Sequence, residues 1–429
     1  MNRTKITPGD HHVVTIPGSK SITHRALIAG GLAAGKTVLR NDLRCEDTRH
    51  TAHVLEAIGV KMERNGDHLV MEGIGENTWN QPWEKALYLG NSGTSFRLLL
   101  PVLALIKGTF LMTGTPRMQE RPMGPLVDAL CRLGAEVSCV NDNGRPPIRI
   151  TSDGILGGAV ALPGDASSQF FSALLLSGPY AQEDVEITVK GDLVSKPYVD
   201  VTIDVMAAFG VRVERQGYTR FSVSAGQQYQ PRDYTVQGDV SSASYFWAAG
   251  AITGKTVTTR NIHPEGRQGD IRLLEILEAM GCVVNRGSDR VSVTGGPLTG
   301  VDVDMGAMPD MVPTLAAVAL FAEGKTTIRN VGHLRFKESD RLNAVTEEWR
   351  KLGARVEEFE DSLVIHGGER LFGAKVDPHD DHRLAMSLAV VGLIVPGIRI
   401  LNPACVNKSF PQFWNFMNRY QYNTCPQTL

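Results

Sequence analysis

The feature that most narrows what this chain can fold into is an internal repeat. Five segments, VLEAIGVKME, ALCRLGAEVS, VMAAFGVRVE, ILEAMGCVVN and EWRKLGARVE, share one plan: the last turns of a helix, a glycine, then a stretch rich in strand formers. Their glycines, Gly59, Gly134, Gly210, Gly281 and Gly353, follow one another at spacings of 75, 76, 71 and 72 residues. A near-constant period marks a repeated supersecondary unit. Glycine just past a helix supplies the left-handed cap that a Cβ resists.

A second series interleaves with the first. RALIAGGLAAGKTVLRN, LLLPVLALIKGTFLMTG, ALLLSGPYAQEDVEITVKG, YFWAAGAITGKTVTTRN, VALFAEGKTTIRN and LAVVGLIVPGIRILN each read helix, turn, strand. Six members against five leave one unit without its second half. The C-terminal helix candidate SFPQFWNFMN and the N-terminal strand HHVVTIP are placed to complete it, so that the chain closes on itself with both termini in one domain. The expected fold class is α/β (α+β): two domains of three βαβαββ units each, with pseudo-sixfold repetition. One domain is continuous over 19–237, and the other combines 1–18 with 238–429. The plainer alternative is two consecutive domains with no closure. A length of 429 residues supports two cores rather than one.

Gly30 to Thr37, GGLAAGKT, matches the phosphate-loop pattern GxxxxGK[ST]. That loop requires a strand before it and a helix after it, because the helix N-terminus receives the phosphate. Here the order is reversed, and the cousins at Gly254-Lys255-Thr256 and Gly324-Lys325-Thr326 mark a recurrent turn of the repeat. A phosphate-loop ATPase is therefore disfavoured.

The net charge of −2 points to neither nucleic acid nor membrane, so any anion binding must come from local clusters. The longest apolar run, Leu98 to Ile106, is interrupted by Pro101 and too short to span a bilayer. The six cysteines show no CxxC spacing, and the N-terminal stretch lacks the apolar core of a signal peptide. Both fit a reduced, cytoplasmic location.

The cations that matter gather at predicted helix starts. PGSKSITHR brings Lys20, Ser21 and Arg25; GNSGTSFR brings Asn91, Gly93 and Arg97; DASSQF brings Ser167, Ser168 and Gln169. KESDR (Lys337 to Arg341) and DDHRLA (Asp380 to Ala385) open two more helices, while TPRMQERP, with Arg117 and Arg121, reads as a strand end and turn. Free N–H groups and the helix dipole make such ends candidate anion sites, although Ser and Thr are also ordinary N-caps. Arg suits carboxylate and phosphate because its planar fork binds two oxygens. Asp310, in an otherwise apolar segment, is either an N-cap or a working base. Glu338 lies between Lys337 and Asp340-Arg341, and His382 between Asp381 and Arg383. No spacing suggests a metal site.

PGSKSxxxR, GNSGT, PRMxERP, SSQ, SKPY, PD before an apolar helix, KESDR and DHR occur in that order from Pro17 to Arg383, and the match runs on to about Lys408. This ordered set resembles the 5-enolpyruvylshikimate-3-phosphate synthase family of enolpyruvyl transferases. The resemblance implies two domains closing over phosphoenolpyruvate and shikimate 3-phosphate, with the active site in the cleft. It implies no metal or organic cofactor and a monomer. Lys20 is expected to serve both substrates. Ser21, Arg25, Ser167, Ser168, Gln169, Ser195, Tyr198, Asp310 and Lys337 are expected to hold shikimate 3-phosphate. Asn91, Gly93, Arg121, Gln169, Arg341, Arg383 and Lys408 are expected to hold phosphoenolpyruvate. The implied chemistry is addition then elimination, with Asp310 as base assisted by Lys20, and Glu338 protonating the methylene carbon. Asp47 and His382 match positions that line or support the site, and glyphosate is the implied inhibitor.

Two positions depart from the family pattern. Ser92 stands where many members carry Ala, which leaves the strength of glyphosate inhibition open. His333 stands where many place an Asn that contacts substrate, and it is left out of the expected site. The sister transferase acting on UDP-N-acetylglucosamine is disfavoured, because Lys20 is followed by Ser21 rather than Asn and TGTPRMQERP lacks a Cys. A non-catalytic anion-binding protein on the same repeat would have no use for Asp310 and Glu338.

Overall fold

A computed structural model of the chain describes residues 11–75 and 83–422. The beginning of the N-terminal segment and Cys425 lie outside the described residues. The chain divides into two compact units, one formed by the described residues of Met1–Pro17 and Gln237–Leu429, the other by Gly18–Val236.

The unit Gly18–Val236 holds three four-stranded sheets of one plan. In each, a parallel pair of strands adjoins an antiparallel pair, and in two of the three a helix connects the parallel strands. In one sheet Gly158–Pro163 lies parallel to Val185–Lys190, which pairs antiparallel with Arg220–Val223 and then Glu214–Gln216. In another, Trp83–Tyr88, Gly108–Thr113, Ile148–Ser152 and Val137–Cys139 repeat the order. Among the described residues the other unit has two such sheets, and its third is the parallel pair Lys375–Val376 and Arg399–Ile400.

The expectation that HHVVTIP completes this repeat is not met. His11–Thr15 pairs instead with Thr256–Arg260. Its counterpart Asp233–Thr235 pairs with Ala34–Arg40 in the other unit. Each passage of the chain between units falls after one of these strands, so the helix and strand that follow belong to the other unit. Asn41 Nδ2 donates to the Val236 carbonyl and Asn261 Nδ2 to the Ile16 carbonyl, at 2.8 and 2.9 Å, at equivalent places before the two passages. A Cβ at Gly18 or Gly238 would overlap the carbonyl oxygen of Asn41 or Asn261.

The five periodic glycines all have positive φ, from 88° to 110°. Each closes a Schellman motif: Val60 N–H reaches Leu55 O at 3.0 Å and Gly59 N–H reaches Glu56 O at 3.0 Å, and the same pair of bonds recurs at Gly134, Gly210, Gly281 and Gly353. The GKT segments follow helices and run into strands, Gly35–Thr37 lying within Ala34–Arg40 after the helix Lys20–Leu32, which removes the phosphate-loop reading.

The first helix of each repeat forms the interior. Lys20–Leu32, Gly93–Ala104 and Ser168–Ser177 are buried on every side, and the residues not buried are Ser21, Thr94 and Gln169, each at the second helical position. Val312–Ala319 and His382–Val391 are buried throughout in the other unit. A helix apolar all round belongs in a core, so polar groups at such helices collect at their N-termini.

Candidate active site

In the unit Gly18–Val236, Lys20 opens its helix with its Nζ 3.0 Å from Asp47 Oδ2, both side chains largely buried. Arg25, one turn on, is 1% exposed. Its guanidinium donates to Thr202 Oγ1 (2.7 Å), the Ser21 carbonyl (2.8 Å), Ser172 Oγ (3.2 Å) and the Tyr198 carbonyl (3.2 Å). None of these acceptors is a carboxylate, and burial pushes the guanidinium down to about 10. A buried cation in neutral company is stabilised by an incoming anion.

Ser167 caps the helix Ser168–Ser177, and the Gln169 side chain joins two helix starts. Its Oε1 accepts from Arg97 at 2.8 Å and its Nε2 donates to Thr94 Oγ1 at 3.0 Å. Ser195 stands at the N-cap position of the helix Lys196–Ala208 in a left-handed conformation, φ 54°, without a side-chain capping bond. Strain of that kind concentrates at functional sites.

Arg121, 3% exposed, donates to the Asn91 carbonyl at 3.5 Å. A Cβ on Gly93 would lie 2.5 Å from Arg121 Nη1, so glycine there makes room for the guanidinium. TPRMQERP is not a strand end. Thr115 accepts from Met118 N–H and Pro116 takes the first position of the short helix Pro116–Glu120, a standard start signal. Arg117 pairs with Glu120 at the surface, while Arg121 follows the helix end and is buried.

In the other unit the predicted residues gather around Arg341, 1% exposed. Its Nη1 lies 2.7 Å from Asp310 Oδ1, its Nη2 2.9 Å from Glu338 Oε2 and its Nε 2.6 Å from Asp381 Oδ2. Arg383 Nη2 takes the other Asp310 oxygen at 2.7 Å. Burial alone would raise Asp310, but Arg383, Arg341 and Lys337 outweigh it and hold the carboxyl well below the usual range. Asp310 caps no helix: it lies in the turn Pro309–Met311 facing the arginines. The helix foreseen from KESDR begins only at Arg341, capped by Asp340, so Lys337 and Glu338 sit in the bend before it. His382, 1% exposed, stands 3.8 Å from Asp381, behind the arginine cluster. Lys408 ends the turn Pro403–Lys408, which packs on the helix His382–Val391.

Several supporting residues escaped the sequence reading. Asp381 both caps its helix, accepting from Arg383 N–H at 2.9 Å, and anchors Arg341. DDHR held the signal, but its role as an anchor depends on a partner 40 residues away. Ser172 and Thr202 hold Arg25 and carry no local signature. His333 lies near Lys337, Asp310 and Arg341, and burial followed by Lys337 pushes it down to about 4, so it stays neutral. Among the described residues, Glu347, Glu348 and His379 bring ligand-type atoms within 4.8 Å, but buried Glu348 is already bonded to Lys351 and the Asp377 N–H.

The family model for EPSP synthase (3-phosphoshikimate 1-carboxyvinyltransferase) matches residues 9–417. A 3-phosphoshikimate 1-carboxyvinyltransferase of Methanoculleus marisnigri is 49% identical over 399 residues, covering 93% of this chain and 94% of its own. One from Enterobacter sp. (strain 638) is 46% identical over 408 residues, covering 95% of each. The solved EPSP synthase of Acinetobacter baumannii superposes with a TM-score of 0.79 at 30% identity, covering 95% of both chains. The architecture is thus the two-domain enolpyruvyl transferase fold. Within that class, the chain belongs to the EPSP synthase (3-phosphoshikimate 1-carboxyvinyltransferase) family. Among the described residues, no helix is long and apolar enough to cross a membrane.

Proposed function

We propose that this protein transfers the enolpyruvyl group of phosphoenolpyruvate to the 5-hydroxyl of shikimate 3-phosphate, releasing inorganic phosphate, in the pathway to chorismate and the aromatic amino acids. The observation that carries the reading is the placement of two carboxylates, Asp310 and Glu338, on one buried guanidinium, Arg341. A binding protein has no need of a base and an acid at the same anion site.

The reaction draws on both units. Lys20, Ser21, Arg25, Ser167, Ser168, Gln169, Ser195, Tyr198, Asp310 and Lys337 hold shikimate 3-phosphate. Lys20, Asn91, Gly93, Arg121, Gln169, Arg341, Arg383 and Lys408 hold phosphoenolpyruvate. The 5-oxygen attacks C2 of phosphoenolpyruvate as Asp310, assisted by Lys20, takes the hydroxyl proton and Glu338 gives a proton to C3. The product is a tetrahedral ketal phosphate. In the second step a C3 proton returns to Glu338, the C–O bond to phosphate breaks, the proton held on Asp310 passes to the leaving phosphate, and the enol ether double bond forms.

In the free protein Asp310 is a weak base, with each oxygen bonded to an arginine. An anion arriving at Arg341 and Arg383 takes over those donors and leaves Asp310 more basic. Glu338 acts from its protonated form, so its bond to Arg341 is given up in the same exchange. His382 supports Asp381 and Arg341 from behind. Glyphosate competes with phosphoenolpyruvate for this site, and inhibition unaffected by rising phosphoenolpyruvate would refute that. The protein acts as a cytoplasmic monomer, which sedimentation and fractionation test.

The deciding assay is phosphate release by purified protein with both substrates, without added metal. Release must require both, and UDP-N-acetylglucosamine must not replace shikimate 3-phosphate. Folded protein that releases none from the shikimate pair refutes the assignment.

A further inference from the structure

A chain of buried hydrogen bonds links two helices that carry proposed anion-site residues, Lys20–Leu32 and Gly93–Ala104, through a third, Glu46–Ala57. His24 comes from Lys20–Leu32, Asp47 and Thr51 from Glu46–Ala57, and Ser95 from Gly93–Ala104, with Ser92 as the N-cap of the last. His24, Thr51, Ser92 and Ser95 are 0% exposed and Asp47 is 2% exposed.

The protons can be assigned by elimination. Ser95 has one hydroxyl proton, and it goes to the Asp47 carbonyl oxygen at 2.9 Å. Thr51 donates its own to Ser95 Oγ at 2.9 Å. His24 Nδ1, 2.7 Å from Thr51 Oγ1, must therefore carry the proton it shares with Thr51. Ser92 Oγ, 2.7 Å from Ser95 Oγ, must donate as well, and it accepts from Ser95 N–H at 3.4 Å. Ser95 thus has its donor and both acceptor sites in use, two toward the helix Glu46–Ala57 and one toward the N-cap of its own helix. Such a network fixes geometry because every lost bond leaves a buried polar group unpaired.

We propose that Ser95 is a positioning residue for the phosphoenolpyruvate subsite, tying Asp47, and through its carboxylate Lys20, to the Asn91–Gly93 turn beside Arg121. Asp47 stands on both sides of the link: its carbonyl accepts from Ser95 while its carboxylate holds Lys20 Nζ at 3.0 Å. The Ser92 bond sets the start of the helix whose first residue, Gly93, borders Arg121. The inference rests on the functional reading that Lys20, Gly93 and Arg121 receive phosphoenolpyruvate.

The test is steady-state kinetics of Ser95→Ala in the full-length protein. The KM for phosphoenolpyruvate should rise about tenfold, while kcat and the KM for shikimate 3-phosphate change by about threefold or less. Ser177→Ala is the control: Ser177 is 2% exposed and its hydroxyl bonds only carbonyls of its own helix, at Ala173 and Leu174. It should cost stability and leave both KM values near wild type. Combining Ser95→Ala with Asp47→Asn should raise the phosphoenolpyruvate KM by less than the product of the single effects, because both act through Lys20. Ser92→Ala removes one donor to Ser95 but spares its bond to Asp47, so about a two- to threefold rise is expected; this variant carries the test if Ser95→Ala fails to fold. Equal shifts in both KM values, a Ser95 or Ser92 variant behaving like Ser177→Ala, or multiplicative effects in the cycle overturn the positioning role. A folded wild type inactive on the shikimate pair instead refutes the functional reading.

Discussion

Replacing Arg341 by Met leaves the volume largely filled and removes one charge from the centre of the arginine cluster. Asp310, Glu338 and Asp381 each lose a partner at 2.7, 2.9 and 2.6 Å. At an effective dielectric near 20, unit charges about 4 Å apart attract by roughly 4 kcal/mol and closer contacts by somewhat more, offset in the wild type by the cost of desolvating the ions. Removing one member of a buried pair is what exposes that cost, at about 3–5 kcal/mol. Arg383 still covers Asp310, but Asp381, 0% exposed, is left with weaker company, so the upper half of that range is expected. That is a large share of a typical stability of about 5–15 kcal/mol. The sign of the pH dependence is fixed too. In the wild type Asp310 and Asp381 are held below their ordinary range, so their contribution is present above the unfolded value and lost as pH falls through the folded one. In the variant burial dominates and raises Asp381, so its destabilisation is relieved as pH falls. Urea unfolding followed by circular dichroism should show a larger deficit at pH 7 than at pH 5, with the m-value unchanged. A deficit below about 1 kcal/mol, or one independent of pH, would refute the electrostatic account.

Gly59→Ala and Gly281→Ala start from nearly equal φ, 106° and 110°, but a Cβ meets Ile74 Cγ2 at 3.6 Å in the first and Pro297 O at 2.5 Å in the second. Thermal unfolding should therefore show about 1–2 kcal/mol of left-handed strain for Gly59→Ala and at least about 1 kcal/mol more for Gly281→Ala. Asp310→Asn should lower kcat by about two to four orders of magnitude without raising the KM for phosphoenolpyruvate, since the change releases Arg341 and Arg383 from an ionic partner; steady-state kinetics checks both. His333 is held near 4, so wild-type stability should fall as pH drops from the unfolded value near 6.5 towards about 4. His333→Gln should lose that part of the slope in urea titrations at pH 5 and pH 7.

The repeat was legible because its physical requirement is local. A helix ending in a left-handed residue needs glycine, and the period exposed the recurrence before any pairing was known. A second mark lies in the interleaved series: Asn41, Asn261, Asn330 and Asn402, which close four of its members, also have positive φ, a conformation Asn tolerates because its short polar side chain bonds locally. The pairing of His11–Thr15 with Thr256–Arg260 was not legible, because two similar strands precede the two passages and only tertiary packing decides which sheet each joins. In the proposed site, charged residues announced themselves in short motifs. Thr202 and Ser172, which hold Arg25, did not, since a buried hydroxyl has no sequence pattern apart from its partner.

The two arginine-centred groups differ in a way that bears on how binding and chemistry are joined. Arg25 is buried among neutral acceptors, so a substrate anion there meets a charge not yet compensated. Arg341 is buried among three carboxylates, and its charge is already balanced. An anion at Arg341 gains little unless Asp310 and Glu338 give up their bonds at the same time. Under the proposed mechanism they do, because Asp310 turns to the hydroxyl proton and Glu338 to the methylene carbon. Simple binding at Arg341 is thus discouraged, and the attraction is realised as the carboxylates change roles, which is where interaction energy lowers a barrier rather than only filling a site.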